Sequence, residues 1–164
     1  MNTTHLGKTL VTLFAELVDG APKSDAYMLN SGDPGLLASL DRLSAAAASA
    51  SVAGGASIAA HVEHLRYGLS LMNRWSAGEN PFRDADWTAS WRTTKVSERE
   101  WKELRARLAD EAHKWRDTLR TPREVNEMEL NGVVGSVAHL AYHLGAIRQI
   151  DRAARGPAAT EVVG

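Results

Sequence analysis

Apolar residues recur at every third or fourth position along four or five segments of this chain, and this spacing constrains its fold most strongly. The clearest stripe consists of Ile58, Val62, Leu65, Leu69 and Met72. Such spacing is typical of amphipathic helices, and strand-like alternation is confined to short connections. Because each helix has one apolar stripe to bury, the sequence predicts an all-α fold, most simply a helical bundle.

Capping signals divide the chain into helices. The sequence predicts helices over residues 4–18, 36–50, 58–76, 97–119 and 131–150. Ser57 is a suitable N-cap for the third of these, and Ser97 with Glu100 forms a capping box for the fourth. A polar connection leads to Asn131, and residues 156–164 are expected to be an unstructured tail.

The composition narrows the class of protein. A chain of 164 residues is most simply a single domain, here 1–164. The formal net charge is -1 and the 19 basic residues are spread out, so nothing indicates nucleic-acid binding. The chain has no cysteine, which excludes a thiolate nucleophile and leaves His, Asp and Glu as candidate metal ligands.

The sequence shows neither a secretory signal nor a membrane-spanning segment, and the expected location in the cell follows from these two features. Residues 1–7 have neither a basic start nor an apolar run, as a secretory signal would. No stretch approaches the roughly 18 apolar residues that span a bilayer. We therefore expect a cytoplasmic protein without a membrane partner.

His139 and His143 form the most informative pair. They lie four residues apart in a helix, so both imidazoles project from one face and could bind the same metal ion. Their row carries no charge and contains small residues such as Gly132, Gly135 and Ser136, which indicates that it faces the bundle interior. Two core histidines that bond to other helices would give the same pattern.

A second pair, His61 and His64, lies beside the stripe of the 58–76 helix. His61 is nearer the centre of the stripe and His64 is on its shoulder. Periodicity leaves open which of them turns toward the other pair. Trp87 and Trp91 follow in an irregular connection, where they either cover an end of the core or form the wall of a substrate pocket.

Residues 57–65 (SIAAHVEHL) and 139–149 (HLAYHLGAIRQ) resemble the two signature segments of the DinB/YfiT-like superfamily. The more specific pattern is His-x-x-x-His-x-Gly-x-Ile-Arg in the second segment. The resemblance covers most of the chain. It implies an up-and-down four-helix bundle with an additional short or N-terminal helix.

The resemblance also implies a metal site of three histidines. One ligand comes from the second bundle helix and two come from the last, which correspond to His64, His139 and His143 in this chain. The ion is expected to be divalent, zinc or nickel. His61 departs from the simplest pattern: it could replace His64, join as a fourth ligand, or act as a catalytic base beside the ligands.

Two functions follow from this resemblance. The first is a metal-dependent enzyme acting on a small molecule, because relatives include hydrolases, isomerases and transferases that use a low-molecular-weight thiol as co-substrate. The second is a non-catalytic, stress-associated bundle with structural histidines, acting as a binding or dimerisation module. A homodimer is expected because the Ala/Ser-rich surface of residues 45–53 and the first helix together present more surface than one four-helix core can cover.

Overall fold

A computed structural model describes residues 4–158, with the side chains from residue 6 onward. Within this range the chain forms six α-helices and no β-strand, which confirms the all-α prediction. The helices are α1 Thr4–Asp19, α2 Gly35–Asp41, α3 Ala45–Ser49, α4 Ile58–Ser76, α5 Glu98–Leu119 and α6 Glu127–Ile150. Short 3-10 turns occupy Pro81–Asp84, Ala89–Trp91 and Arg152–Ala154.

The four long helices enclose the core. Helix α4 packs against α5 and α6, and α1 packs against the same two helices from the other side. The core between them includes the fully buried side chains of Phe14, Leu65, Trp101, Trp115 and Leu140. The short helices α2 and α3 contact α5 near one end. This arrangement sets α4 beside α6, the two helices that carry the histidine pairs.

Side-chain caps fix where the long helices begin. The hydroxyl of Ser57 accepts a hydrogen bond from the amide of Ala60, and Ser97 forms the predicted capping box at the start of α5. Helix α6 begins four residues earlier than Asn131, because Asn126 and Glu129 form a second capping box. The predicted start of α6 is therefore wrong, although the capping signal was present in the sequence.

The predicted helix over residues 36–50 is divided into α2 and α3. The carbonyl oxygen of Leu43 lies in the break and accepts a hydrogen bond from the buried indole N–H of Trp101 at 2.8 Å. The Ser44 hydroxyl then accepts from the Ala47 amide and starts α3. This tertiary hydrogen bond uses a carbonyl group that would accept an intrahelical hydrogen bond if the helix were continuous.

Two buried carboxylates hold the loop between α1 and α2 in place. Glu16 accepts hydrogen bonds from the backbone amides of Tyr27, Met28 and Leu29. Asp33 forms an ion pair with Arg148 of α6 at 2.6 Å. The second contact ties the loop to the helix that carries His139 and His143.

The ends of the chain are described only in part. Of the tail predicted for residues 156–164, positions 159–164 lie outside the described residues. The carbonyl oxygen of Pro157 accepts a hydrogen bond from the Asn30 side chain at 2.7 Å. Between residues 4 and 158, no helix is long and apolar enough to cross a membrane.

Candidate metal centre

Three histidines from α4 and α6 bring ring nitrogens together. The Nε2 atom of His139 lies 3.1 Å from Nε2 of His64 and 2.9 Å from Nε2 of His143. The three residues form a group that could hold a metal ion, with one ring nitrogen of each within 4.8 Å of the others. His64 and His143 are buried and His139 is half-buried, so the group opens toward solvent on the His139 side.

The hydroxyl of Ser90 fixes the tautomer of His64. It donates a hydrogen bond to the carbonyl oxygen of Trp87 at 2.6 Å, so it accepts the Nδ1–H of His64 at 2.7 Å. The proton of neutral His64 is therefore on Nδ1, and the lone pair on Nε2 points to His139. Ser90 is itself buried, and it lies in the irregular connection, where the sequence gives no sign of its role.

Neutral histidines cannot satisfy both short contacts of His139 with full hydrogen bonds. If Nε2 of His139 carries a hydrogen, that single hydrogen is shared between the nitrogens of His64 and His143. If it carries a lone pair, it faces the lone pair of His64. A cation held by the three nitrogens would instead accept a lone pair from each. The donor set therefore fits a metal ion better than it fits a hydrogen-bonded cluster.

The distances also suit a transition metal. With Zn–N bonds of about 2.0–2.1 Å, two imidazole nitrogens on one ion are about 2.9 Å apart at a right angle and about 3.4 Å apart at the tetrahedral angle. The two measured separations, 3.1 and 2.9 Å, lie in or at the edge of that interval. Imidazole ligands suit zinc, copper, iron and nickel.

Burial keeps the histidines neutral, which is the state that binds metal. Burial, and secondarily repulsion from His139 and His61 when these are protonated, lowers the pKa of His64 to about 4. Burial, and secondarily repulsion from His139, His61 and His64 when these are protonated, lowers the pKa of His143 to about 3. Burial also lowers the pKa values of His61 and His139. Near neutral pH protons therefore compete weakly for these nitrogens.

His61 lies behind His143 rather than in the three-residue group. Its Nδ1 atom is 2.8 Å from Nδ1 of His143. If Nε2 of His143 binds metal, its Nδ1–H donates to His61, and the contact orients the ring. Of the three roles left open for His61, this geometry favours one beside the ligands; a role as catalytic base stays a prediction.

Two tryptophans from the irregular connection cover the histidines. The ring of Trp91 stacks on His64, with centroids 4.3 Å apart and planes inclined by 24°. Trp87 lies 5.6 Å from the same imidazole and also lines a cavity. The sequence leaves two roles open for these residues, covering an end of the core or forming the wall of a pocket. Trp87 forms part of a cavity wall, whereas Trp91 covers the histidine cluster.

The cavity adjoins the histidines between α4 and α6. Its volume is about 360 Å³, within the range of small-molecule sites, and it is open to solvent. His64 and His139 lie on its wall, together with Gly68 of α4. A Cβ atom at Gly68 would lie 3.6 Å from the Trp87 ring and 3.7 Å from His139, so the glycine leaves space at this end.

No family model, curated protein or solved structure matches the chain. Function is therefore inferred from the geometry of the chain's own residues.

Proposed function

We propose that this chain is a metal-dependent enzyme of the DinB/YfiT-like superfamily. On this proposal the long helices α1, α4, α5 and α6 are the up-and-down four-helix bundle, and α2 and α3 are the additional short helices. The positions of the histidines support the assignment. His64 lies in the second long helix, and His139 and His143 lie four residues apart in the last one.

One observation carries the proposal: three histidine nitrogens converge beside an open cavity, and neutral imidazoles leave their short contacts unsatisfied. A purely structural zinc site has four protein ligands, whereas a catalytic site has three and keeps a position for water or substrate. Among the side chains that the structure describes, His61 is the one further histidine nearby, and it is hydrogen-bonded to His143 through Nδ1. Both facts favour a catalytic centre over a closed structural one.

Zinc, nickel or another divalent ion bound by three histidines would supply an activated nucleophile, either water or a thiol, near neutral pH. The chain's own residues prepare the site. Ser90 holds the proton of His64 on Nδ1, so that the Nε2 lone pair is free to bind an ion. With Nε2 of His143 bound to an ion, His61 would accept the Nδ1–H of His143 and fix the orientation of that ring. Trp91 excludes water from the protected side of His64.

A non-catalytic binding or dimerisation module is the second candidate. Helix α6 exposes apolar side chains: Met128 is 82% exposed, Tyr142 is 70% exposed and Val134 is 43% exposed. Contiguous exposed apolar patches often mark interfaces between protein chains. If Tyr142 lies in a homodimer interface, Tyr142→Ser lowers the mass measured by light scattering to that of one chain.

Substitution with Co²⁺ tests the proposed enzyme directly. Cobalt bound by three histidines gives a visible absorption spectrum that responds when a small ligand enters the open position. We expect the spectrum to change when azide or mercaptoethanol is added to the cobalt protein. A spectrum that neither compound changes would indicate a closed site and would overturn the catalytic proposal.

A further inference from the structure

The cavity beside the histidines is polar at one end only. Apart from His64 and His139, its walls are made of apolar side chains, a few glycines and one serine. The principal apolar members are Leu65, Leu69, Met72, Phe82, Trp87 and Leu140. None of the described side chains that line it carries a permanent charge.

The serine in the wall has no free hydrogen to donate to a ligand. Ser136 donates its hydroxyl hydrogen to the carbonyl oxygen of Val133 at 2.7 Å. It also accepts the indole N–H of Trp115 at 2.8 Å. The other polar side-chain atoms in the lining are the imidazole nitrogens and the indole N–H of Trp87, and Trp87 lies beside His64 at the metal end. An ionised group placed deeper in the cavity would lose its hydration without gaining a partner.

Two glycines of α6 create the space in the cavity. Gly135 lies one turn before His139 and Gly132 two turns before it, both on the side of the helix that faces the cavity. A Cβ atom at Gly135 would have no heavy atom within 4 Å, and one at Gly132 would meet Met72 at 3.9 Å. Larger residues at these positions would project into the space that a ligand would occupy.

The cavity continues into a second one toward the start of α6. The second cavity is about 500 Å³ and shares Met72, Phe82 and Gly132 with the first. The charged residues in its lining are Glu79, which forms an ion pair with Arg74 at 2.7 Å, and Glu129, which accepts a hydrogen bond from the Asn126 amide. The described lining therefore offers no cationic side chain to an anionic tail on a ligand at this end.

From this lining we infer that the site takes an uncharged, largely apolar molecule whose single polar head group reaches the histidines, while its apolar body lies between α4 and α6. This inference rests on the proposed function for the role of the head group. It excludes substrates whose recognition depends on a carboxylate, phosphate or sulfonate in the cavity.

The apolar body can be tested without metal by fluorescence titration of the full chain. N-phenylnaphthylamine is an uncharged fluorescent probe, and anilinonaphthalene sulfonate carries the same rings with one anionic group. We expect the uncharged probe to bind at least about tenfold more tightly, because the anion would be desolvated without a partner. Equal affinity for the two probes would overturn the inference.

Substitutions in α6 locate the probe. Gly135→Leu fills the cavity and is expected to weaken binding of the uncharged probe by at least about tenfold. Gly145→Leu is the matched control, because it adds the same side chain to the same helix, outside the cavity lining and with no atom within 4 Å of its Cβ. An equal effect of the two variants, or none, would overturn the inference.

Cobalt binding, measured on the same samples, separates this inference from the proposed function. We expect Gly135→Leu to bind Co²⁺ as the wild type does, because the substitution leaves all three ligands in place. If cobalt binds but the probe does not, the inference about the substrate fails and the metal site stands. If the probe binds at the cavity and cobalt does not, the proposed function fails, and with it the role of the head group.

Discussion

Replacing Ser90 by alanine removes the contact that fixes the tautomer of His64. In the wild type the buried hydroxyl accepts a hydrogen bond from Nδ1–H of His64 at 2.7 Å and donates one to the carbonyl oxygen of Trp87. In Ser90→Ala the proton of His64 is free to move to Nε2, the atom that must face the ion. Part of the metal-binding free energy is then spent on restoring the binding tautomer.

The expected loss can be estimated from other metal proteins. Removing a hydrogen bond to a metal-binding histidine typically weakens metal affinity by about 10–100-fold, which is about 1.4–2.7 kcal/mol. The unfolding free energy of the metal-free protein should fall by about 1–3 kcal/mol, because two buried hydrogen bonds are lost, the one from His64 and the one to Trp87. The zinc affinity is therefore measured separately from the stability of the fold.

Competition with a chromophoric chelator measures the zinc dissociation constant of each variant. Ser70→Ala is a suitable control: Ser70 lies on α4, its hydroxyl bonds to the carbonyl oxygen of Tyr67, and it is outside the histidine cluster. We expect zinc affinity to fall in Ser90→Ala and to stay the same in Ser70→Ala. Equal zinc affinity in wild type and Ser90→Ala would refute the role assigned to Ser90.

Three further predictions concern stability. The unfolding free energy of the metal-free protein should fall as the pH is lowered from about 6.5 toward 4. In that interval the histidines of the unfolded chain take up protons, because their pKa is about 6.5, whereas His64 and His143 in the folded protein stay neutral, with pKa values of about 4 and 3. Constant stability over that interval would contradict the account. Asp33→Ala leaves the largely buried Arg148 unpaired and should cost about 3–5 kcal/mol in urea unfolding. Gly20→Ala should lower the unfolding free energy by more than about 1 kcal/mol, because Gly20 has φ +112° and a Cβ would lie 2.6 Å from the Asp33 carbonyl oxygen. An unchanged midpoint of urea unfolding would argue against this strain.

The helices and the histidine pairing could be predicted because they depend on local spacing. Apolar residues at every third or fourth position fix which face of α4 and α6 is buried, and histidines at that face must approach one another when the helices pack. The choice between His61 and His64 could not be made in this way. Both lie at the edge of one stripe, and only the rotation of α4 against α6 directs His64 toward His139 and His61 toward His143.

The contacts that complete the centre depend on chain segments without periodicity. Ser90 is 26 residues from His64 in the sequence, in a connection whose path is set by its packing on α4. The cavity likewise requires Trp87 to lie across the groove. Gly132 and Gly135 could be recognised as small neighbours of His139, but nothing in their spacing indicates a cavity between α4 and α6.

The most direct test of the central claim is the zinc content of the tag-free protein after loading with Zn²⁺ and desalting. Wild type and His61→Ala are expected to retain about one equivalent, and His64→Ala to retain almost none, because the ion is bound by three histidines. His113→Ala serves as a control, since His113 lies on α5 and bonds to Asp19. Two results would contradict the three-histidine site. One is wild-type protein that retains no zinc, and the other is zinc that is lost in His61→Ala but retained in His64→Ala.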